Sequence, residues 1–389
     1  MNSTKDFVVK ILESADVRVD GDRPWDLQVH DERFYSRVLS GGTMGLGEAY
    51  MDGWWDCAAV DELIFRFLTT RLQSQVRPSA RLVFDYLRSR IVNLQGIKRA
   101  FHVGERHYDL GNDLYETMLD RRMNYSCAYW KDAETLEEAQ ERKLELICQK
   151  IGLKPGMSVL DIGCGWGGFA GYAAEKYGAQ VVGLTVSQKQ AEFVRVRYAG
   201  LPVEIRLQDY RLPREQFDRI VSVGMVEHVG YKNYRQFMQV AADSLKPDGL
   251  FLLHTIGSNK TVHSGDPWFN RYIFPNGMLP SIAQLSRASE GLFRMEDWHN
   301  IGPHYDKTLL AWHARFTEQR DRFSKAYGER FSRMWTYYLL LSAGGFRARA
   351  FQLWQIVFSP VASTASYERP VFNPQFSHER GKRVTAQIG

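Results

Sequence analysis

A chain of 389 residues, 44% hydrophobic and 24% charged, exceeds what one ordinary core supports and implies a packed protein of two domains. A net charge of +5 is too small to indicate nucleic acid by itself and leaves anionic membranes and acidic small molecules open as partners. The four cysteines, Cys57, Cys127, Cys148 and Cys164, lack metal-ligand spacing, so neither a metal site nor a disulfide framework is expected and a reduced cytoplasmic setting fits; the sequence also has no apolar signal-peptide core and no spanning run of about 20 apolar residues.

In chain order, residues 1–100 read as a small, largely helical domain. Phe7 to Glu13 predicts a helix, and a glycine-rich turn over Gly41 to Gly47 leads into Glu48 and the Trp54-Trp55 pair. The stretch from Asp61 to Ile97 predicts helix, and nine Arg or Lys residues stand between Arg66 and Arg106 against Asp85 and Glu105. From Lys154 strands alternate with helices, the pattern of a parallel sheet covered on both faces. The strands are Val159 to Ile162, Gln180 to Leu184, Val203 to Leu207, Arg219 to Val223 and Leu250 to Thr255. Helices follow the first strand as far as Tyr177, begin after an N-cap at Ser187 and stop at Gly200, and run from Asn233 to Leu245. From Ser281 to Ser359 aromatic-rich helices are expected, and the tail after Phe376 is polar.

The loop Asp161-Ile-Gly-Cys-Gly-Trp-Gly-Gly168 follows a strand and opens a helix. Gly163, Gly165 and Gly168 satisfy a dinucleotide GxGxxG, but that reading needs a carboxylate at the end of the second strand. The region Gly183-Leu-Thr-Val-Ser-Gln-Lys-Gln190 has none. Asp161, placed before the glycines, suits a cofactor with an ammonium group, and the helix N-terminus suits a carboxylate. S-adenosylmethionine (SAM) carries both, so the loop is read as a SAM site. Thr185, Val186, Ser187 and Gln190 stand where many SAM enzymes place an acid, with Gln208, Asp209 and Tyr210 beyond the third strand as acceptor and aromatic wall for adenine. Asp209 reads equally well as a turn aspartate.

The chain resembles the cyclopropane fatty acid synthases in their long bacterial form. The resemblance rests on Gly45-Leu-Gly-Glu-Ala-Tyr-Met-Asp-Gly-Trp-Trp55, His107-Tyr-Asp-Leu-Gly-Asn-Asp113, Tyr125-Ser-Cys-Ala-Tyr-Trp130, Val159 to Gly167, Gly224-Met-Val-Glu-His-Val-Gly230, Leu253-His-Thr-Ile-Gly-Ser258, Tyr272-Ile-Phe-Pro-Asn-Gly277, Asp297-Trp-His299 and Tyr305-Asp306 through Trp312. It implies a class I SAM-dependent methyltransferase fold, an α/β Rossmann-like doubly wound sheet over 101–389 with helical acyl-chain-binding insertions. The N-terminal domain, 1–100, becomes the lipid-associating part. The resemblance further implies a bicarbonate ion as general base, held by Cys127, Glu227, His254, the backbone of Ile256, and Tyr305. SAM contacts carried over by the resemblance fall on Tyr125, Ser126, Gly163, Gly165, Thr185, Gln190 and Asp209, with Cys164 inside the same loop. The substrate implied is unsaturated phospholipid, met by peripheral association with the inner face of the membrane, and the assembly implied is a homodimer.

The chemistry agrees with these residue types. An alkene is a poor nucleophile, and the sulfonium methyl of SAM is a strong electrophile. Attack leaves positive charge on carbon, a base removes a proton from the new methyl group, and the ring closes in a dry pocket. Aromatic faces stabilise a cation without a counterion, and Tyr125, Tyr129, Trp130, Trp268, Phe269, Tyr272 and Phe274 supply them. Glu227 and His254 end neighbouring strands at the carboxyl edge, where open α/β sheets bind ligands. His228, Met225 and Trp166 are read as packing, and Ser342, where the family often has cysteine, is assigned no role. Competing readings are a lipid methyltransferase leaving a methyl branch or hydroxyl, a non-catalytic SAM- and lipid-binding protein, and a nucleic-acid methyltransferase. The last lacks a basic, aromatic-interleaved reader.

Overall fold

The apolar runs of the second half pair into one seven-stranded sheet, and the reason is their composition. Val159, Leu160 and Ile162 are all buried, as are Ile220, Val221 and Phe251 to Leu253, so these strands have no solvent face. The computed structural model describes residues 3–70, 112–212 and 215–371. The chain divides into two compact units, one of 1–94, 262–278 and 305–352, the other of 95–261, 279–304 and 353–389.

In the first unit a two-residue strand pair, β1 (Gln28–Val29) and β2 (Trp55–Asp56), accompanies helices Ser3–Ser14, Arg33–Met51, Val60–Thr69, Pro267–Tyr272, Arg320–Tyr327 and Glu329–Arg347. The expected glycine turn falls at Gly42, at φ 54° and ψ −131°, where the Arg33–Met51 stretch breaks into two helical parts that fold against each other, Arg37 bonding Glu48 and Asp52. Gly45 and Gly47 lie in the second part, where neighbours press on them. A Cβ on Gly47 would sit 2.4 Å from the Trp268 indole nitrogen. Trp55 is fully buried among Phe34, Tyr50 and Tyr337 and donates Nε1–H to the Leu46 carbonyl at 3.0 Å. It is a core residue, not the interfacial anchor that the Trp54-Trp55 pair suggests; Trp54 lies under the guanidinium groups of Arg33 and Arg37. Arg347 ties Asp61 and Asp306 together, and Arg333 donates to the Trp55 carbonyl and Asp56.

In the second unit the sheet order is β5-β4-β3-β6-β7-β9-β8. The strands are β3 (Ser158–Ile162), β4 (Gln180–Thr185), β5 (Val203–Leu207), β6 (Phe217–Val223), β7 (Leu245–Ser258), β8 (Phe293–Asn300) and β9 (Phe351–Pro360). The five strands expected from the sequence are parallel and adjacent. The last two were read as part of a helical segment; β9 is buried along Gln352 to Ser359 and pairs antiparallel with β8. Its apolar run has neither a strand's alternation nor a helix's period, so burial on both faces hides its identity. The helix Leu136–Lys150, outside the expected elements, starts at a Thr135/Glu138 capping box and buries Gln140, Lys143, Glu145 and Lys150. Glu145 accepts from the hydroxyls of Tyr172 and Tyr177 at 2.8 Å each, and Lys150 pairs with the buried Asp297 at 3.0 Å. No described helix is long and apolar enough to cross a membrane.

Helices Val60–Thr69 and Glu329–Arg347 meet at Gly344, where a Cβ would stand 2.3 Å from the Asp61 carbonyl oxygen. Gly344→Val should therefore destabilise the protein by about 1–3 kcal/mol in urea unfolding. Gly41, with nothing within 4 Å of its would-be Cβ, is the opposite case. Gly41→Ala should be stabilising by roughly 0.5–1 kcal/mol.

Candidate active site

The glycine loop sits between the end of β3 and the helix Gly168–Tyr177. Gly163, Gly165 and Gly167 all have positive φ, at 84°, 54° and 76°. Their surroundings differ. A Cβ on Gly163 would meet Met225 at 2.6 Å and one on Gly167 would meet Val194 at 2.7 Å, whereas Gly165 faces open space. The loop is thus packed from behind at Gly163 and Gly167 and open at Gly165, the geometry that lets a ligand approach backbone. The Gly163 and Cys164 N–H groups donate to the Leu184 carbonyl at 3.1 and 2.9 Å, which fixes the loop to β4. The Cys164 side chain packs with Ala191, Val194, Tyr198 and Ile205, and its carbonyl accepts from the Gly167 N–H at 2.8 Å, which leaves that carbonyl's second lone pair as the part available to a cofactor. Met225, as expected, is packing.

Beyond β4, Thr185 donates its hydroxyl to Gln190 Oε1 at 2.8 Å and accepts from the Ser187 N–H at 3.1 Å. Ser187 caps the helix Gln188–Arg197 through the Gln190 N–H, and Val186 lies between them. This neutral cluster occupies the position of the missing acid. After β5, the Gln208 N–H donates to the Thr185 carbonyl at 2.9 Å. Asp209 is buried and accepts from the Arg211 backbone N–H at 3.0 Å and from its guanidinium at 2.7 and 3.0 Å. It is a turn aspartate in the structure, with one lone pair remaining, on Oδ2. The Tyr210 ring packs edge-on to Phe237.

Asp161 is buried at the end of β3, and burial pushes its carboxyl up to about 7, opposed by Lys143. Lys143 is missed by motif reading. It lies on the helix Leu136–Lys150 at 1% exposure and donates to Asn124 Oδ1 and Ser126 Oγ at 3.1 Å each. Gln140, one turn earlier, donates to the Ser126 carbonyl at 2.8 Å. Two buried polar side chains on one helix face thus hold the segment carrying Tyr125, Ser126 and Cys127. A spacing of three residues between Gln and Lys was the available signal. The Tyr125 ring meets Tyr115 edge-on at 5.2 Å, and Tyr115 rests on Trp166 at 4.7 Å.

Of the residues expected to hold the base, Glu227, His254 and Ile256 come together at the carboxyl ends of β6 and β7. Val223 and His254 are in register, and the Gly224 N–H donates to the His254 carbonyl at 2.9 Å. This brings the short helical turn Val226–His228 beside β7, where the Ile256 N–H donates to Glu227 Oε1 at 2.7 Å. Burial pushes the Glu227 carboxyl up to about 7. Burial, with the Lys143 and Lys150 charges, holds His254 well below the ordinary histidine range, so its ring is neutral. Glu227 Oε2 and His254 Nε2 are buried and have no hydrogen-bond partner among the described residues. Cys127, fully buried, directs its thiol to the Ala128 carbonyl at 3.2 Å. Tyr305 belongs to the first unit, buried against Phe346 and Trp312. The aromatic residues also divide: Trp268, Phe269, Tyr272 and Phe274 lie in the first unit, where Trp268 packs on Tyr337 and Phe269 and Phe274 on Tyr338. Tyr129, in the second, packs on His304 at 4.8 Å. No cluster of His, Cys, Asp and Glu that could hold a metal occurs among the described residues.

The comparisons agree with one another. A profile of the family described as mycolic acid cyclopropane synthetase matches residues 95–356. The chain is 53% identical to the cyclopropane-fatty-acyl-phospholipid synthase of Escherichia coli (strain K12) over 350 residues, 90% of this chain and 92% of that protein. It is 34% identical to the tuberculostearic acid methyltransferase UfaA1 of Mycobacterium tuberculosis (strain ATCC 25618 / H37Rv) over 353 residues, 82% of this chain and 79% of the relative. Among solved structures, the mycolic acid cyclopropane synthase CmaA1 complexed with SAH and CTAB matches at a TM-score of 0.62 and 34% identity, over 66% of this chain and 97% of that one.

Valine at Gly165 would impose a β-branched side chain on a left-handed backbone and fill the open approach. Gly165→Val should weaken SAM binding by roughly tenfold or more in calorimetry while the unfolding transition is retained. Glu227 gives a second expectation, because a carboxyl pushed up in the fold destabilises it at alkaline pH. At pH 4 the group is protonated whether folded or unfolded; the penalty grows from its unfolded pKa and is complete above about 7. Glu227→Gln should therefore be more stable than wild type at pH 8, by on the order of 3 kcal/mol, and converge with it towards pH 4. Urea unfolding at the two pH values measures the difference.

Proposed function

This chain belongs to the mycolic acid cyclopropane synthetase family, and from that premise we propose that it adds a methylene across cis double bonds of unsaturated phospholipid acyl chains, with bound bicarbonate as the general base. The coarser part needs no proposal: the chain is a SAM-dependent methyltransferase acting in lipid cyclopropanation, with a class I α/β fold. The observation that carries the finer reading is the pair of buried, unpartnered atoms, Glu227 Oε2 and His254 Nε2, at the carboxyl ends of β6 and β7. Burying such atoms without partners costs about 1–3 kcal/mol each. A ligand that both donates and accepts, as bicarbonate does, fits a neutral imidazole beside a carboxyl group. Glu227, His254 and the backbone of Ile256 would hold it, with Cys127 and Tyr305 as the further ligands. Bound there, bicarbonate supplies a proton acceptor of modest basicity next to the reacting carbon.

The chain's own residues do the rest. Gly163 and Gly165, with the backbone of Cys164, accept the cofactor's methionine end, and Asp161 faces its ammonium group. Lys143 and Gln140 hold Tyr125 and Ser126 in place for the same ligand. Thr185, Val186, Ser187 and Gln190 offer neutral groups to the ribose, and Gln208, Asp209 and Tyr210 serve the adenine. Aromatic faces stabilise the carbocation and exclude water.

Membrane access belongs to the same proposal: peripheral docking on the inner face, and a homodimer as the assembly. The basic stretch that would dock lies, beyond Arg66, outside the described residues, as do Arg81, Arg88 and the His107 to Gly111 part of its motif. Arg66 itself is engaged by Asp16 and Glu62 and lies over Trp25.

Incubation with SAM and vesicles of cis-unsaturated phospholipid should give acyl chains heavier by one methylene that resist hydrogenation. Chains that gain a methyl branch or a hydroxyl instead would favour the alternative outcome of the same cation. Glu227→Ala should lower turnover by orders of magnitude with SAM affinity nearly unchanged, and added bicarbonate should partly rescue Cys127→Ala. Near-wild-type turnover of Glu227→Ala would remove Glu227 from the base site.

A further inference from the structure

Gln355 occupies the middle of β9, opposite His299 of β8, at 0% exposure. Its neighbours Leu353, Trp354, Ile356, Val357 and Phe358 are all buried and apolar. A primary amide in such a run is costly, and its Oε1 has no hydrogen-bond partner among the described residues. The interaction recorded for its amide nitrogen is with Nδ1 of His254, at 3.3 Å. Packing alone would be served by leucine or methionine, so the amide is explained by what it does to that ring.

A neutral imidazole carries one N–H, and the partner of one ring nitrogen decides which nitrogen keeps it. We propose that Gln355 is a positioning residue that donates its amide N–H to Nδ1 of His254 and so holds the ring as the Nε2–H tautomer. Nε2 is the ring atom that is buried without a partner, so the N–H is presented as a donor where Glu227 Oε2 is presented as an acceptor. The opposite arrangement, with Gln355 Oε1 accepting from Nδ1–H, would leave two amide hydrogens unpartnered in place of one hydrogen and the carbonyl oxygen, so the amide's own bonding does not separate the two. What separates them is that the amide nitrogen is the atom facing Nδ1. The opposite tautomer would also turn the Nε2 lone pair towards whatever anion occupies the site. The tautomer rests on that contact; its consequence for turnover rests on the reading of Glu227 and His254 as an anion-binding base site.

The test is long-range proton–nitrogen NMR of the full chain with ¹⁵N-labelled histidine, the His254 signals being assigned with His254→Gln. The expected wild-type spectrum is that of an Nε2–H imidazole with an unprotonated Nδ1; an Nδ1–H pattern overturns the inference. Gln355→Glu can donate while its buried carboxyl is protonated and only accept once ionised, so raising the pH through that titration should shift the ring from Nε2–H to Nδ1–H and lower kcat by about tenfold to a hundredfold, with KM for SAM within about twofold of wild type. Gln355→Leu should leave a mixture of tautomers and a smaller loss. A tautomer and kcat unchanged in Gln355→Leu, or in Gln355→Glu with its carboxylate ionised, would also overturn the proposal. Turnover of wild type in bicarbonate-depleted buffer is the separate arm. If it is undiminished while the Nε2–H signature is present, the anion reading fails and the tautomer assignment stands.

Discussion

The arrangement of the second unit follows from one constraint: ionisable side chains are buried around the carboxyl edge of the sheet, and two of them, Glu227 and His254, each keep one polar atom without a partner among the described residues. Asp161, Glu227, His254 and Lys143 are each below 10% exposure. In water each would be solvated; inside, every one has its charged form penalised, which is why both carboxyls are pushed up to about 7 and Lys143 down to about 8. Such a cluster persists only when the surrounding fold over-determines it. The supports are visible: β3, β6 and β7 fix the carboxylates and the histidine, the Ile256 N–H anchors one oxygen of Glu227, and the Leu136–Lys150 helix holds the Asn124 to Cys127 segment. The structure carries a stability penalty here and places it where the chemistry needs weakly solvated groups.

Much of this was legible in the sequence because the signals were local. The glycine loop after β3 has a spacing with few meanings, and the missing acid after β4 separated SAM from a nicotinamide cofactor. Ser187 as an N-cap and the strand at Val203 to Leu207 follow from period and capping alone. What was hidden was non-local. The Gly41 to Gly47 run turns at Gly42 as its composition suggests, but Gly45 and Gly47 are glycines for another reason, since the Arg37 carbonyl and Trp268 press on them and exclude side chains. The strand β9 is largely apolar and buried on both faces, so neither period shows, and β8 mixes charged and apolar residues without a clean alternation. Lys143 and Gln355 belong to no motif; a lysine and an amide inside otherwise apolar surroundings gain meaning only when their partners, Ser126 and His254, are known. Trp55 shows the converse error, since a tryptophan pair in a basic domain resembles an interfacial anchor and one of its members is core.

The division of residues between the two units also bears on the aromatic faces offered to the cation. Segments 262–278 and 305–352 belong by contact to the unit built on the N-terminal helices, although they follow the SAM-binding strands in sequence. The aromatic residues Trp268, Phe269, Tyr272 and Phe274 come with them. The cofactor loop and the Glu227–His254 pair stay with the sheet. The aromatic side chains that the sequence offers for a cation are thus drawn from both units, since Tyr125, Tyr129 and Trp130 stay with the sheet.

A methylated double bond is a cation whichever product follows, and its fate depends on which nucleophile or base is nearest. Water gives a hydroxyl, hydride gives a branch, and loss of a proton from the new methyl group gives the ring. The SAM loop cannot distinguish these outcomes, because its work ends when the methyl leaves sulfur. Discrimination must come from groups that act after that step, and on the proposed function these are a carboxyl oxygen and a ring nitrogen that have no partner among the described residues, with an amide behind the ring that fixes which way its proton points. A protein that merely bound SAM and lipid would have no need to leave two polar atoms buried and unsatisfied. Replacing Glu227 by an apolar residue would relieve that penalty, and a chain under selection for stability alone would have done so.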